Sequence, residues 1–511
     1  MAFLCMRKYL KLIPIVSSLL LTACLAEQQE LIDEFHLDFN YVMNIALERR
    51  KNTPLATLEG MEWLLEERNF EGEVSTEFSY ILRDLPALRN VSIEEAIEDV
   101  EFLFNKLQYW YGGYIYFGGD DVFLTIKDTI IKEIEYINDS SLSSHIFSRI
   151  LIDNLLPVIH DKHFTIMNIA LGRNVIFYTN DEIRFGISLK GFYNKQTGQY
   201  IEEISNYDYT QLLRLFIDDY GDFFYSPFIY KIFEINESYF HRYEITIIYE
   251  DGNSEIISLV NNEIDRLLAR AMRARNPLLT RIDNVPILTL ESFNTSNLMP
   301  ETGVAPFIEI MDYTVRTLRD EPVIIIDIRG NRGGNGLLVM QFIYSLTGEI
   351  VNPNIIGIGP LPHFGFFEII EEALVGFTES FKTRVLELYE IYGEKLFYTR
   401  RRVPISEEQL FIFLSDRQTA SAGELLIIDH FPTFKNSLIV GFNTMGVIEF
   451  SGSPHSPLPN SAIPISFGRG MMLRPERNLE SIGITPDIIV MPGEDALQAT
   501  ISMLRRNNII E

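Results

Sequence analysis

The residues best suited to chemistry lie in Thr419-Ala420-Ser421-Ala422-Gly423-Glu424. The apolar run Phe411-Ile412-Phe413-Leu414 precedes them and reads as a buried strand, and Leu425-Leu426-Ile427-Ile428 follows and reads as a helix. A serine hydroxyl at such a corner is held by a rigid scaffold. It also sits at the positive end of a helix, where developing negative charge is favoured. The same spacing, Ser421-x-x-Glu424, fits a capping box, in which the serine only satisfies helix N–H groups. A second chemical candidate is the turn Arg329-Gly330-Asn331-Arg332-Gly333-Gly334-Asn335-Gly336. Its glycines permit positive φ, and successive N–H groups there could cradle an anion; a tight loop without a ligand reads equally well. GxGxxG and a Walker lysine are both absent, which removes the dinucleotide and P-loop readings.

These two turns need a scaffold, and the surrounding pattern supplies one. Pro286–Leu290 reads as a strand, Ala305–Leu318 as a helix, Val323–Ile328 as a strand and Leu337–Leu346 as a helix. Fully apolar strands alternating with helices imply an α/β sheet covered on both faces. Residues 353–405 read as an insertion into that unit, which spans 281–511. Residues 24–170 read as a helical N-terminal region, with helices at Glu27–Arg50, from the capping box Ser92-Ile93-Glu94-Glu95 to Leu107, at Ile126–Ile137 and at Ser144–Val158. Residues 171–280 read as a β-rich module ending in a linker over 263–280, with a hairpin formed by Tyr243–Tyr249 and Glu255–Val260 around Asp251-Gly252.

The N-terminus has the pattern of a secretory signal. Arg7, Lys8 and Lys11 precede an apolar stretch, Leu12–Leu21, that is too short to span a bilayer. It ends Leu21-Thr22-Ala23-Cys24, which resembles the bacterial lipobox, so residues 1–23 read as a signal peptide and Cys24 as the lipidated first residue of the mature chain. Cys5 lies in the signal, so the mature chain holds one cysteine and no internal disulfide. The expected location is the bacterial cell envelope, with a body tethered to a membrane and facing the periplasm or exterior. The length of 511 residues allows two or three domains, and 47% apolar residues support sizeable cores. A formal charge of −28 argues against nucleic acid as a partner.

Three motifs taken in order carry a resemblance. Asp327-Ile328-Arg329-Gly330-Asn331-Arg332-Gly333-Gly334, Thr419–Glu424 and Gly483-Ile484-Thr485-Pro486-Asp487 together resemble the core of the C-terminal processing (tail-specific) peptidases and their tricorn-like relatives. The resemblance covers residues 285–495, and more weakly the helical region around 95–170. It implies a ClpP/crotonase-like catalytic core and serine peptidase activity on a protein or peptide substrate, with no metal and no cofactor.

The tail-specific branch pairs its serine with a lysine about 25 residues on. Here Val447 stands in that turn and no lysine follows Lys435. The tricorn-like branch uses a histidine from an Asp-x-His element and a glutamate just before Gly-x-x-Pro-Asp. That resemblance assigns Ser421 as nucleophile, His163 of Asp161-Lys162-His163 as general base and Glu480 as the carboxylate orienting His163. The Ala422 N–H and that of Gly333 or Gly334 would form the oxyanion hole. Lys162 stands where the tricorn protease has an assisting serine. His160 is a rival base, and His160-x-x-His163 a rival metal pair. Glu424 is expected to brace the loop, and Asp327 and Arg329 to position the glycine turn. The β-rich module occupies the place of a PDZ domain but lacks that domain's carboxylate-binding turn, so it reads either as a β module of unknown ligand or as a degenerate PDZ. Two further classes stand beside a lipid-anchored peptidase: a non-catalytic binding lipoprotein on a peptidase-like core, and a crotonase-fold enzyme acting on an acyl substrate.

Overall fold

The computed structural model describes most residues from 37 onward; the longer stretches outside it are 1–36, 66–85, 234–241, 262–276, 294–303, 359–373 and 393–408. The signal peptide, Cys24, the first part of the Glu27–Arg50 helix, most of the linker and much of the 353–405 insertion therefore lie outside the described residues.

The helical region begins with α1 (Phe39–Lys51) and continues as α2 (Ile93–Trp110), α3 (Gly119–Glu135) and α4 (Ser144–Leu155). The Ser92–Glu95 capping box forms: Glu95 N–H donates to Ser92 Oγ at 3.2 Å and Ser92 N–H to Glu95 Oε2 at 2.8 Å. The chain then enters β1 (Asp161–Ile166) and β2 (Ile169–Leu171), an antiparallel pair. Asp161–His163 is thus the start of a strand, and its partner on the other side is contributed by residues 464–466, far along the chain.

The β-rich segment supplies β3 (Asn174–Thr179), β4 (Leu213–Ile217), β5 (Phe223–Phe233), β6 (Arg242–Tyr249) and β7 (Ser254–Asn261). Strands β6 and β7 form the antiparallel hairpin expected around Asp251-Gly252. The core follows with β8 (Leu278–Ile282), β9 (Val285–Thr289), α5 (Val304–Thr317), β10 (Val323–Asp327), α6 (Gly336–Thr347), α7 (Glu379–Tyr392) and β11 (Leu410–Ser415). It ends with α8 (Ala422–Leu425), β12 (Asn436–Gly441), β13 (Pro464–Ser466), β14 (Gly470–Leu473), β15 (Ile488–Val490) and α9 (Ala496–Arg506).

Strands β9, β10, β11, β12, β15 and β4 lie side by side and parallel. Their apolar runs divide between two faces. Ile324, Ile326, Phe411 and Phe413 pack with Phe307 and Met311 of α5 and Phe342 of α6, while Ile325, Ile412, Leu414 and Val440 pack with Ala499 and Met503 of α9. Burial on both faces is why these strands carry no polar alternation; each fully buried Ile or Leu contributes about 1.5–3 kcal/mol. The expected α/β core with a helical N-terminal region and a β-rich middle is therefore what forms. The sequence did not show that β4 pairs with β15, so the sheet of the β-rich segment continues that of the core. Nor did it show that α2–α4, β1 and β2 share a hydrophobic core with Phe450, Ile463, Phe467 and Met471. Through that shared core the strand bearing His163 is held against the C-terminal half of the chain.

Candidate active site

The nucleophile corner follows β11. Asp416 Oδ1 accepts the N–H groups of Gly330, Gln418 and Thr419, each at 3.0 Å, and so ties the corner to the glycine turn. The Ala420 N–H donates to Asn331 O at 2.8 Å, and Gly423 N–H to Ala420 O at 2.9 Å. Ser421 is the second residue of that tight turn, at φ 50° and ψ −119°. This is the conformation of the first central position of a type II′ turn, usually taken by glycine; a serine there stores about 1–3 kcal/mol of strain. The strain is held by Glu424, which is fully buried. Its Oε2 accepts the N–H groups of Ser421 and Val447, each at 2.9 Å, and its Oε1 accepts Gly446 N–H at 2.8 Å and the Thr444 hydroxyl. The capping-box arrangement of Ser421 and Glu424 is thus present, and Glu424 is the expected brace. The helix it opens is shorter than expected: only Ala422–Leu425 is α-helical before the chain passes into a π-helical turn at Leu426–His430, so a helix dipole is a small contribution here.

His163 Nε2 lies 3.2 Å from Ser421 Oγ. That is a hydrogen-bonding approach, and the imidazole is buried enough that desolvation lowers its pKa to about 4. At neutral pH it is uncharged and able to accept a proton. His160 does not share this position; its ring packs edge-on against Phe117, with centroids 6.2 Å apart. Lys435 is exposed. Among the described residues no group of three or more His, Cys, Asp or Glu is arranged to hold a metal ion.

Glu480 is half-buried beside this strand, but it does not take the orienting role assigned to it. Its Oε1 accepts Lys162 N–H at 2.9 Å, and its Oε2 accepts Ile448 N–H at 2.9 Å and Glu449 N–H at 3.0 Å. His163 Nδ1 is buried without a hydrogen-bond partner. The carboxylate is saturated by backbone donors and fixes the main chain beside His163 rather than the ring. Asp161, fully buried, contributes similarly: its Oδ1 accepts His163 N–H at 2.7 Å. The Asp-x-His spacing was a usable signal for it, because an aspartate commonly accepts the N–H two residues on. Desolvation raises both carboxyl pKa values, Asp161 to about 7 and Glu480 to about 8, and the Asp161 charge adds to the rise at Glu480. The fully buried Tyr111 beside Asp161 is pushed well above its ordinary range by burial and by that carboxylate.

The glycine turn meets the serine closely. A Cβ on Gly333 would fall 2.7 Å from Ser421 Cβ and 2.9 Å from Ala422 N, and Gly333 has φ +97°. One expectation is corrected here: Gly333 N–H donates to Asn331 Oδ1 at 2.9 Å and is not available to an oxyanion. Among the described residues the N–H groups of Ala422 and Gly334 make no hydrogen bond. Arg329 and Asp327 do position the turn, through Nε to Oδ1 at 2.9 Å and Nη2 to Oδ2 at 2.8 Å.

No family model and no curated protein matches this chain. Solved structures do. Mature CPAF is 14% identical, covering 82% of this chain and 95% of that one at a TM-score of 0.40. The photosystem II D1 C-terminal processing protease is 12% identical, covering 78% and 94% at 0.36, and the tricorn protease 10% identical, covering 82% of this chain and 37% of that one at 0.31. These are distant likenesses, and the chemistry is read from the site itself.

Proposed function

We propose that this chain is a serine endopeptidase, with Ser421 as nucleophile and His163 as general base, held to a bacterial membrane by lipid on Cys24. The single observation that supports it most is the 3.2 Å approach of a neutral, half-buried imidazole to a hydroxyl presented on a strained turn. A serine hydroxyl becomes nucleophilic when a base takes its proton as attack proceeds. The proton moves from Oγ to Nε2, the Oγ–carbonyl bond forms, and the amide nitrogen leaves with that same proton. The N–H groups of Ala422 and Gly334 are the donors left to meet the oxyanion. Glu480 and Asp161 act as positioning residues: they fix the backbone on either side of Lys162 and lend negative charge near the imidazolium when ionised.

The lipobox-like Leu21-Thr22-Ala23-Cys24 supports a location in the cell envelope, facing the periplasm or exterior, and the substrate is a protein or peptide. The second reading, a binding lipoprotein without catalysis, draws on the unpartnered His163 Nδ1. Hydrolysis of an unstructured protein such as casein by residues 25–511, absent from Ser421→Ala, separates the two. Turnover that survives Ser421→Ala would overturn the peptidase assignment.

A further inference from the structure

Lys162 is the residue at which this chain departs from the resemblance, and the structure holds it half-buried. Its stem crosses Gly172 so closely that a Cβ there would lie 2.1 Å from Lys162 Cγ. Its ammonium ends among backbone carbonyls, donating to Met445 O at 2.7 Å and reaching Ser481 O at 3.4 Å. Arg417 enters the same cluster and donates to Thr444 O, to Ile482 O at 3.1 Å and to Ser481 O at 3.0 Å. Two cations thus bind two loops, 444–447 and 479–484. Those loops are in close contact, since a Cβ on Gly483 would meet Thr444 O at 2.2 Å.

The loop that Lys162 grips is the one that grips the nucleophile. Gly446 and Val447, directly after Met445, donate to Glu424, and Glu424 accepts Ser421 N–H. On its other side Lys162 is bonded to His163 through the main chain of β1. We propose that Lys162 is a positioning residue that fastens the His163 strand to the loop bracing Ser421, and thereby sets the approach of base to nucleophile. This rests on the peptidase reading. A merely space-filling role would suit methionine or leucine, because burying an ammonium is costly. Here burial, reinforced by Arg417 and opposed by Glu480 and Glu424, lowers the Lys162 pKa to about 8. The charge that strengthens the strap is therefore lost in mildly alkaline solution.

The test compares wild type with Lys162→Met and, separately, Gly172→Ala, which displaces the lysine stem without removing it. Three quantities are read: hydrogen exchange over 419–425 and 444–447, the kinact and KI of Ser421 labelling by a fluorophosphonate, and kinact from about pH 6 to about pH 10. Both variants are expected to speed exchange in those two segments and to lower kinact by about tenfold or more with KI unchanged. Lys162→Arg should recover much of the loss. In a Lys162→Ala background Gly172→Ala should add nothing. Glu480 titrates near the same pH and its charge acts on Lys162, so the wild-type to Lys162→Met ratio reads the Lys162–Glu480 pair, and it should fall above about pH 8 as the lysine charge is lost. Unchanged exchange with unchanged kinact, or a ratio flat with pH, would overturn the proposal. Exchange that responds in a wild type that never labels would leave the strap standing and remove the peptidase reading instead. Should Lys162→Met fail to fold, Gly172→Ala decides by the same measurements.

Discussion

His163 Nε2 stands 3.2 Å from Ser421 Oγ although 258 positions separate the two in the chain. The approach joins a strand that packs with the N-terminal helices to a corner of the parallel sheet. Neither half carries the chemistry alone. Removing either partner should therefore cost about as much as removing both, on the order of 10³-fold or more in kcat, because residues acting as a unit are not additive. Steady-state kinetics of Ser421→Ala, His163→Ala and the double variant, each shown folded by circular dichroism, check this. Single losses that multiply in the double variant would point to independent roles.

The acid limb of activity should lie unusually low. Burial lowers the His163 pKa from 6.5 to about 4, so the ring stays neutral, and able to accept a proton, well below the pH at which an exposed histidine has charged. The same shift is a stability statement. The unfolded chain binds the proton first, so this group costs stability progressively as pH falls from 6.5 to about 4 and no further below that. The pH dependence of kcat/KM should be flat through pH 6.5 and drop near 4.

The Asp161–Glu480 pair has the opposite sign. Both folded pKa values are raised, so the folded state holds protons that the unfolded chain releases from pH 3.8 and 4.5 upward. Their contribution is fully present at low pH, is lost progressively as pH rises from 3.8 and 4.5 to about 7 and 8, and changes no further above that. Thermal melts of wild type should weaken over that window, and Asp161→Asn should weaken less. An equal decline in both would contradict the burial account.

Glu424→Gln should be among the most damaging single changes. The carboxylate accepts from Ser421 N, Thr444 Oγ1, Gly446 N and Val447 N, and a carboxamide turns one acceptor face into a donor facing donors. Loss of several charge-assisted bonds in a buried site costs about 3 kcal/mol or more. Calorimetry should show a large drop in Tm together with loss of Ser421 reactivity.

Gly333→Ala tests the glycine turn without touching a charge. Its Cβ would sit 2.7 Å from Ser421 Cβ at φ +97°, so the corner must shift. An ångström-scale displacement of the nucleophile is expected to cost about 100-fold in kcat while the sheet still folds.

Much of the core could be read from the chain because its signals are local. Val323–Asp327 is wholly apolar until its last residue, and the strand forms there; the Asn331–Gly334 turn and the Ser421 corner follow strands at the sequence positions expected of them. The nonlocal pairings could not be read. Nothing in Leu213–Ile217 says that its partner is Ile488–Val490, and nothing in Asp161–Ile166 names Pro464–Ser466. Glu480 lies beside the His163 strand, yet which donors it accepts depends on where Lys162, Ile448 and Glu449 converge. Lys162 read as a gap in a motif because its partners are backbone carbonyls, which no side-chain pattern reveals.

The measurement closest to the central claim is covalent labelling of residues 25–511 with a fluorophosphonate, followed by peptide mass spectrometry. The account predicts one adduct, on Ser421, lost in His163→Ala while the variant remains folded. A folded wild type that takes no adduct, or one whose labelling is indifferent to His163, would contradict it.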